Sequence, residues 1–147
     1  MPFYYPPVSF HFKVEVLGLS GDNDVRFTDV AGLSVEVSTE EIAEGGENRF
    51  IQKYPGRAKY PDLVLKRGLL TRSEVFDWIK ECLDRDEIRP KNIDVKLLNE
   101  EHQPLMTWHV VNALPTKWAV SDFSATGNAV VIETLQLCYQ YFTVDRS

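Results

Sequence analysis

The chain has 147 residues, of which 44% are apolar and 26% charged, and its net charge is −6. This length fits one domain over residues 1–147 with a buried core, and the acidic balance disfavours proteins that bind nucleic-acid phosphates through clustered Lys and Arg. No segment approaches the roughly 18 apolar residues of a membrane-spanning helix, and the N-terminus lacks the pattern of a secretory signal. We therefore expect no membrane insertion, and synthesis and retention in the cytoplasm unless a larger machine carries the chain out.

Three strands are predicted in the first third of the chain. Apolar and polar residues alternate from Phe10 to Val16, which is typical of a strand with one buried face. A short second strand is predicted over Val25–Val30. After the break at Ala31-Gly32, alternation resumes from Leu33 to Ser38 and predicts the third strand.

The segment from Ile42 to Pro61 interrupts this pattern and predicts a long, protruding loop. It contains Gly45-Gly46 and Pro55-Gly56, and cations alternate with aromatic residues in its second half. Loops of this length in compact domains are usually functional. Alternating cations and aromatics can stack on nucleic acid, but Tyr and Arg are also enriched at protein interfaces. The net charge favours contact with protein.

One helix is predicted over about residues 72–84, after a strand at Leu63–Lys66. The stretch Thr71 to Glu74 matches a capping box, in which the Thr71 hydroxyl and the Glu74 carboxylate satisfy backbone donors of the first turn. The apolar residues that follow share one helical face: Val75, Phe76, Ile79, Cys82 and Leu83. Pro90 prevents any continuation.

The remainder of the chain returns to strands. They are predicted over Ile93–Leu98, Leu105–Leu114, Lys117–Val120 and Val130–Val144. With no βαβ rhythm, about seven strands and one helix predict a mainly β fold, an antiparallel β-barrel or sandwich. In the last strand Glu133 falls on the same face as Leu135 and Leu137. Either a bulge or edge position exposes this carboxylate or a cation accompanies it in the core; the cost of burial favours the bulge or edge.

Candidate catalytic and metal-binding residues do not form a recognised pattern. His102 and His109 lack metalloprotease or zinc-finger spacing, so solvated or interface histidines are the better interpretation. The carboxylates near Glu40 lie in a charged, glycine-containing segment, not in a motif that desolvates one of them. The cysteines, Cys82 and Cys138, are predicted to be free thiols. We expect no enzyme activity, cofactor or metal.

The long loop carries a resemblance to a known family. Glu44-Gly45-Gly46, Tyr54-Pro55-Gly56-Arg57-Ala58-Lys59-Tyr60-Pro61 and Leu63-Val64-Leu65-Lys66-Arg67-Gly68 resemble the signature of the contractile-phage tail tube family. Phe76-Asp77-Trp78, Trp108 to Trp118 and Asn128 to Leu135 resemble its later blocks in the expected order. The family includes the inner-tube proteins of extracellular contractile injection systems. Thr107 departs from the basic residue that the family often carries, and Val120 to Ala125 is a loose version of its segment.

The resemblance implies a structural subunit, a β-barrel that assembles as stacked hexameric rings around a lumen. The implied ring-stacking residues are Glu44, Gly45, Gly46, Arg49, Lys53, Tyr54, Pro55, Gly56, Arg57, Lys59 and Tyr60. Residues that are either interfacial or structural are Lys66, Arg67, Gly68, Lys117, Trp118 and Glu133. We expect Arg57 and Lys59 to meet acidic residues of the next ring, among them Glu36, Glu40, Glu41 and Glu44.

The implied partners are further copies of the chain, a contractile sheath, baseplate and tube-terminator proteins, and a passenger in the lumen. The passenger is a tape-measure protein, a cargo effector or DNA. The implied location is a phage tail or a released, tail-like particle made in a bacterial cytoplasm. Two alternatives stay open: a baseplate-proximal tube initiator of the same family, and a monomeric β-barrel that binds a small ligand.

Overall fold

The computed structural model describes residues 11–19, 27–42, 52–69, 73–85, 87–123 and 131–146. Within these ranges lie nine strands and one helix. They are β1 His11–Val16, β2 Asp29–Ala31, β3 Glu36–Ile42, β4 Gln52–Lys59, β5 Leu63–Gly68, α1 Glu74–Leu83, β6 Lys91–Leu98, β7 Pro104–Val120, β8 Ile132–Cys138 and β9 Tyr141–Arg146. The prediction of a mainly β fold with one helix is confirmed.

Seven of the strands form one antiparallel sheet in the order β1-β6-β7-β8-β5-β2, and β9 also pairs with β7. The 17-residue strand β7 organises the sheet, because β9 pairs with its first half and β8 with its second half. The segment predicted as two strands, Leu105–Leu114 and Lys117–Val120, is therefore one strand. Conversely, the long strand predicted over Val130–Val144 is divided at Tyr139 and Gln140.

The sheet turns a corner at Asn112 in β7. This residue has a φ of 54°, a left-handed conformation that Asn tolerates better than most residues. Its backbone N–H donates to Asn92 Oδ1 at 3.0 Å, and its side-chain amide donates to Gln140 Oε1 at 3.0 Å. The register of β6 against β7 shifts between Lys91 and Ile93, next to Asn112 in the sheet. Such local irregularities bend a sheet, so its two halves face each other across one core.

The core is formed by the inner faces of both halves and by one face of α1. Its fully buried apolar residues include Val14, Leu63, Leu65, Ile93, Val110, Leu135 and Leu137 from the strands and Val75 and Ile79 from the helix. Alternate burial along β5 and β8 reproduces the period of two that the sequence showed. These side chains form one continuous cluster between the two halves of the sheet and the helix.

The helix begins at a different cap from the one predicted. The Ser73 Oγ atom accepts the backbone N–H of Phe76 at 3.2 Å, so Ser73 is the N-cap and Glu74 is the first helical residue. Thr71 lies outside the described residues, and its predicted role as N-cap is wrong. Both residues have the hydroxyl that a cap requires, and Ser73 lies three residues before the donor that it satisfies.

The preferred interpretation of Glu133 is also wrong. β8 runs without a bulge and pairs with a strand on each side, so Glu133 points into the core with 1% of its surface exposed. Arg67 lies directly opposite on β5, also 1% exposed, and its Nε donates to Glu133 Oε1 at 3.1 Å. The less favoured alternative, a carboxylate buried with a cation, is the one that the structure adopts.

The predicted loop at 42–61 is partly a β-hairpin. Residues Gln52–Lys59 form β4, which pairs antiparallel with β3 in a two-stranded sheet separate from the main one. Pro55 and Gly56 masked this strand in the sequence, because both residues normally interrupt strands. We call the hairpin of β3 and β4 the arm.

Candidate assembly interface

The arm leaves most of its side chains in solvent. β3 and β4 pair with each other and with no other described strand. Val37 and Tyr54 are apolar or aromatic residues exposed on it. A two-stranded hairpin with so little packing of its own is only marginally stable in water. Most of its surface is therefore accessible to another molecule, and it includes Tyr54 and Arg57, residue types that are enriched at protein interfaces.

Opposite charges are segregated between the two strands of the arm. Glu36 lies across from Lys59, and Glu41 lies across from Lys53. None of these four side chains, nor Arg57, forms an ion pair within 4.0 Å with a residue that the structure describes. The cations of β4 are thus available to external carboxylates, although acidic side chains of the same arm lie nearby.

Gly56 shapes the arm at an irregularity in its pairing. The register shifts between Val37 and Thr39, and Ser38 approaches Gly56 closely. A Cβ atom at position 56 would lie 2.7 Å from the Ser38 Oγ and 3.1 Å from the Ser38 carbonyl oxygen. Glycine is the residue that permits this approach of the two strands.

Aromatic residues hold the base of the arm against the body of the protein. The Tyr60 ring lies 5.7 Å from the Tyr139 ring and 5.2 Å from the Phe142 ring, measured between centroids. The Tyr139 hydroxyl donates to the Gly32 carbonyl oxygen at 3.2 Å. Gly32 has a φ of 98°, and a Cβ there would lie 2.1 Å from the Asp62 carbonyl oxygen. The chain is therefore held to the body at Gly32, before the arm, and at Tyr60, after it, and these contacts set the direction in which the arm leaves the body.

Strands β1, β6, β7 and β9 form a four-stranded layer with two open edges. Among the described residues, β1 pairs only with β6 and β9 pairs only with β7. Each of these outer strands therefore presents unpaired backbone N–H and C=O groups along one side. Such edges invite pairing with another chain unless they are protected. Because β1 and β9 run antiparallel to one another, the β9 edge of one copy can pair with the β1 edge of a second copy and extend the same sheet.

The face of this layer that points away from the core carries two groups of paired charges. On β1 and β6, the Glu15 carboxylate lies 3.1 Å from Lys13 Nζ and 3.2 Å from Lys96 Nζ. Partial burial acts to raise the pKa of Glu15, but the hydrogen bonds and charges of the two lysines outweigh it and lower that pKa. The single carboxylate of this patch is thus shared by two cations.

His109 on β7 is the centre of the second group. Its Nδ1 lies 2.8 Å from Asp94 Oδ1 on β6, and its Nε2 lies 2.7 Å from Asp145 Oδ2 on β9. The hydrogen bond to Asp94, and then that to Asp145, raises the pKa of His109. No pattern in the sequence indicates this site, because it depends on which residues of three strands lie side by side. We call Asp94, His109 and Asp145 the clamp.

Of the residues assigned as interfacial or structural, two form a buried hub. The Arg67 guanidinium bonds to Glu133, donates through a terminal nitrogen to Ser73 Oγ at 2.9 Å and lies 4.8 Å from the centre of the Phe27 ring. Arg67 thus joins β5, β8 and the first turn of α1, which favours the structural interpretation for it and Glu133. The Trp118 ring packs against the Phe76 ring of the helix, with 5.2 Å between centroids. Lys66 and Lys117 are exposed. Gly68 is the last residue of β5 and lies opposite Ile132.

The predicted ring-stacking residues divide into three groups. Lys53, Tyr54, Pro55, Gly56, Arg57 and Lys59 lie together on β4 of the arm. Tyr60 lies at its base and packs on its own body. Glu44, Gly45, Gly46 and Arg49 lie outside the described residues. The stacking role of all of them stays a prediction.

The described ranges also contain both cysteines and a surface groove. Both cysteines are free thiols, with Cys82 buried and Cys138 partly buried. No group of three His, Cys, Asp or Glu residues there is arranged to hold a metal ion, and no helix there is long and apolar enough to cross a membrane. A groove of about 300 Å³ lies beside the gap between β2 and the four-stranded layer. It is lined by Phe12, Thr28, Asp29, Val30, Leu33, Val95, Leu97 and Trp108.

Comparison with known proteins identifies relatives over nearly the whole chain. The family model of the T4-like virus tail tube protein gp19 matches residues 8–143. No curated protein sequence matches the chain significantly.

Solved structures give the same result. A chain from the cryo-EM structure of the anti-feeding prophage baseplate, 6-fold symmetrised, is 30% identical with a TM-score of 0.84, and the match covers 98% of each chain. A chain from the sheath–tube complex of the extracellular contractile injection system PVC is 29% identical with a TM-score of 0.81, covering 98% of this chain and 94% of that one. Hcp1 from Flavobacterium johnsoniae, 15% identical with a TM-score of 0.59 and coverage of 92% and 95%, shares the fold.

Proposed function

The chain belongs to the T4-like virus tail tube protein family, and from that membership we propose that it is a structural subunit of the inner tube of a contractile tail or injection system. Copies assemble into hexameric rings, and the rings stack into a tube. A contractile sheath surrounds the tube, and baseplate and terminator proteins bind its ends. The subunit is made in the bacterial cytoplasm and works in a phage tail or a released, tail-like particle.

The observation that carries the ring proposal is the pair of open edges on the four-stranded layer. Since β1 and β9 lie on opposite sides of each copy, their pairing is head-to-tail, and a head-to-tail contact closes into a ring when the rotation between copies allows it. The six-fold symmetry of the baseplate that contains a similar chain supports six copies.

Closure of the layer into a ring gives its two faces different roles. The face of the layer that points to the core is covered by β5, β8 and α1 of the same subunit. These three elements therefore lie on the outside of the ring. The charged face, with Glu15, Lys96 and the clamp, then lines the lumen. A tape-measure protein, cargo effector or DNA passes along this wall.

The arm supplies the contact between successive rings. It projects as a hairpin of its own, exposes the cations Lys53, Arg57 and Lys59, and has neither a sheet to join nor an ion pair in the described part of its subunit. Charged contacts of this kind set register and specificity more than affinity. Arg57 and Lys59 therefore bind carboxylates of the adjacent ring and fix the rotation of one ring on the next.

Electron microscopy of the purified protein tests the proposal. Wild-type protein is expected to form rings or tubes, and Arg57→Glu with Lys59→Glu is expected to leave rings that do not stack. Circular dichroism should show an unchanged fold in that variant. Lys80→Glu with Arg85→Glu changes the net charge equally at exposed positions on and after α1 and serves as the matched control.

The two outcomes that contradict the proposal are distinct. Wild-type protein that stays monomeric across salt and protein concentration contradicts the tube function and favours the monomeric ligand-binding barrel. Tubes from the Arg57 and Lys59 variant contradict only the role of the arm. A tube initiator at the baseplate, the alternative within the family, differs in giving single rings in the wild type.

A further inference from the structure

The clamp joins three neighbouring strands through one imidazole ring. Asp94 on β6 lies directly opposite His109 in the register of β6 and β7. Asp145 on β9 lies two residues along from Thr143, which is opposite His109, and so on the same face of β9. The two distances, 2.8 Å to Nδ1 and 2.7 Å to Nε2, both lie in the range of charge-assisted hydrogen bonds.

This geometry requires the charged form of the histidine. A carboxylate has only acceptors, and a neutral imidazole has only one N–H, so it can donate to one of the two aspartates but not to both. The imidazolium ion has two N–H donors and satisfies both. The raised pKa of His109 agrees with this requirement.

The strand that the clamp holds has few other attachments. In β9, Phe142 is partly buried and the remaining five residues are exposed. Phe142 packs in the aromatic cluster with Tyr60 and Tyr139 near one end of the strand. Near the other end of β9, the hydrogen bond between His109 and Asp145 attaches the strand to β7 through side chains. Backbone pairing with β7 holds one side of β9, and its opposite side is the open edge.

The charges around the clamp favour the same state. Asp94 and Asp145 are the titratable groups that face His109 from β6 and β9, and Lys96 lies two residues from Asp94 on the same face of β6. Farther away on β1, Glu15 lies opposite Asp94 and is already bound to Lys13 and Lys96. No other cation that the structure describes lies within 4.0 Å of Asp94 or Asp145, so His109 is the ion-pair partner of both aspartates in the described part of the chain.

We propose that His109 is a positioning residue for ring formation: as imidazolium it fastens β9 to the sheet, so that the open edge of β9 is held in place for the β1 edge of a neighbouring copy. This role rests on the proposed function. Loss of the proton removes one of the two bonds and loosens the edge. Ring assembly is therefore sensitive to pH through a residue that is 39% exposed at its side chain and accessible to solvent protons.

The sign of the pH dependence follows from the direction of the shift. A histidine whose pKa is raised in the folded protein contributes stability that is fully present below its ordinary value of about 6.5. That contribution is lost as the pH rises through the raised pKa of His109. The clamp is thus closed at mildly acidic pH and opens toward alkaline pH.

The test follows His109 and β9 separately. The chain has three histidines, so an NMR titration of the imidazole signals, assigned with single variants, is expected to give His109 a pKa above 6.5. Amide exchange in β9, corrected for its intrinsic pH dependence, is expected to quicken by roughly two- to fivefold as the clamp opens, which is the range for partly screened ion pairs.

Three variants separate the clamp from a general structural role. His109→Gln is expected to give fast β9 exchange at every pH, and His109→Arg, which keeps its charge, is expected to restore slow exchange without pH dependence. His102→Asn removes a histidine distant from the clamp at a turn where φ is 63°, which Asn tolerates, and should behave as wild type.

The ring readout distinguishes failure of the inference from failure of the function. The fraction of protein in rings, measured by sedimentation from pH 5.5 to 9, should fall in the wild type and stay flat in His109→Arg. Rings with the same pH profile in wild type and His109→Gln would overturn the positioning role and leave the tube function intact. A titration of His109 at or below its ordinary pKa would overturn it as well. Absence of rings under all conditions, with the β9 profile as expected, would overturn the tube function instead.

Discussion

Arg67 and Glu133 are two charged side chains in the core, each with 1% of its side chain exposed. Removing such ions from water costs several kcal/mol each, and their attraction offsets this cost only with good geometry and further hydrogen bonds. The structure provides both, because Arg67 also donates to Ser73 Oγ and lies over the Phe27 ring. The pair thus connects β5 and β8 to the start of the helix. Its main contribution is to fix the relative positions of these three elements.

Breaking this pair is expected to cost more than replacing it. Glu133→Leu removes the carboxylate that faces the buried Arg67 guanidinium and should lower the free energy of unfolding by about 3–5 kcal/mol, whereas Arg67→Met with Glu133→Leu should cost clearly less. Urea unfolding at a protein concentration below that of assembly measures both. Lys66→Met, on the exposed neighbour of Arg67, is the control and should stay within about 0.5 kcal/mol of wild type. A double variant less stable than Glu133→Leu would contradict this account.

At the scale of elements, the arm is a hairpin whose shape depends on one close approach. Gly56 lets the two strands come together at Ser38, and nothing else in the described body forms a sheet with them. The arm therefore has to be shaped locally before it meets a neighbour. This makes its function sensitive to changes that leave the core untouched.

Gly56→Val tests that dependence. The new side chain cannot fit beside Ser38, so pairing of β3 with β4 should weaken by about 0.5–3 kcal/mol. Amide exchange should quicken in the arm and not in β6, and tubes should become short or fail while rings persist. Ala58→Val, an exposed position on the same strand where a β-branched residue is favourable, is the control. Normal tubes from Gly56→Val would show that arm geometry is unimportant for stacking.

At the scale of the whole molecule, the open edges of the four-stranded layer and the projecting arm give the subunit two separate kinds of contact. The edges lie on opposite sides of the layer. In the proposed assembly they extend the sheet around a ring, and the arm connects one ring to the next. An acidic chain with a cationic strand on its arm is complementary to copies of itself. Head-to-tail contacts of this kind generate rings and filaments.

Hydrogen exchange in the assembled and unassembled states tests the ring contact without any substitution. Backbone amides of β1 and β9 that point away from the sheet should exchange freely in the monomer and become protected in rings, because they then bond to a neighbour. Amides of β6 pair on both sides within one subunit and should be protected in both states. Equal protection of β1 and β9 in the two states would place the ring contact elsewhere.

Local patterns alone determined much of this protein. Alternation from Phe10 to Val16 and the apolar face of the helix each depend on a few neighbouring residues. The sequence therefore predicted the strand over its described residues and most of the helix face correctly. On that face, however, Leu83 is exposed, and Trp78, which was not predicted there, is buried. The ordered motifs identified the family, because they extend along nearly the whole chain. The prediction for Glu133 was wrong because the cost of burying a carboxylate was judged without its partner Arg67. The prediction for Thr71 was wrong because Ser73, which has the same hydroxyl group, caps the helix instead.

Tertiary structure decided the contacts between distant segments. Arg67 and Glu133 are 66 positions apart, and His109 and Asp145 are 36 apart. Each pair meets only because strand register places the two residues side by side, and a shift of one residue would turn one of them to the other face. Register is set by the packing of the whole sheet and by the irregularities near Asn112. A linear pattern therefore predicts which residues lie in strands, whereas only the folded sheet decides which charges meet.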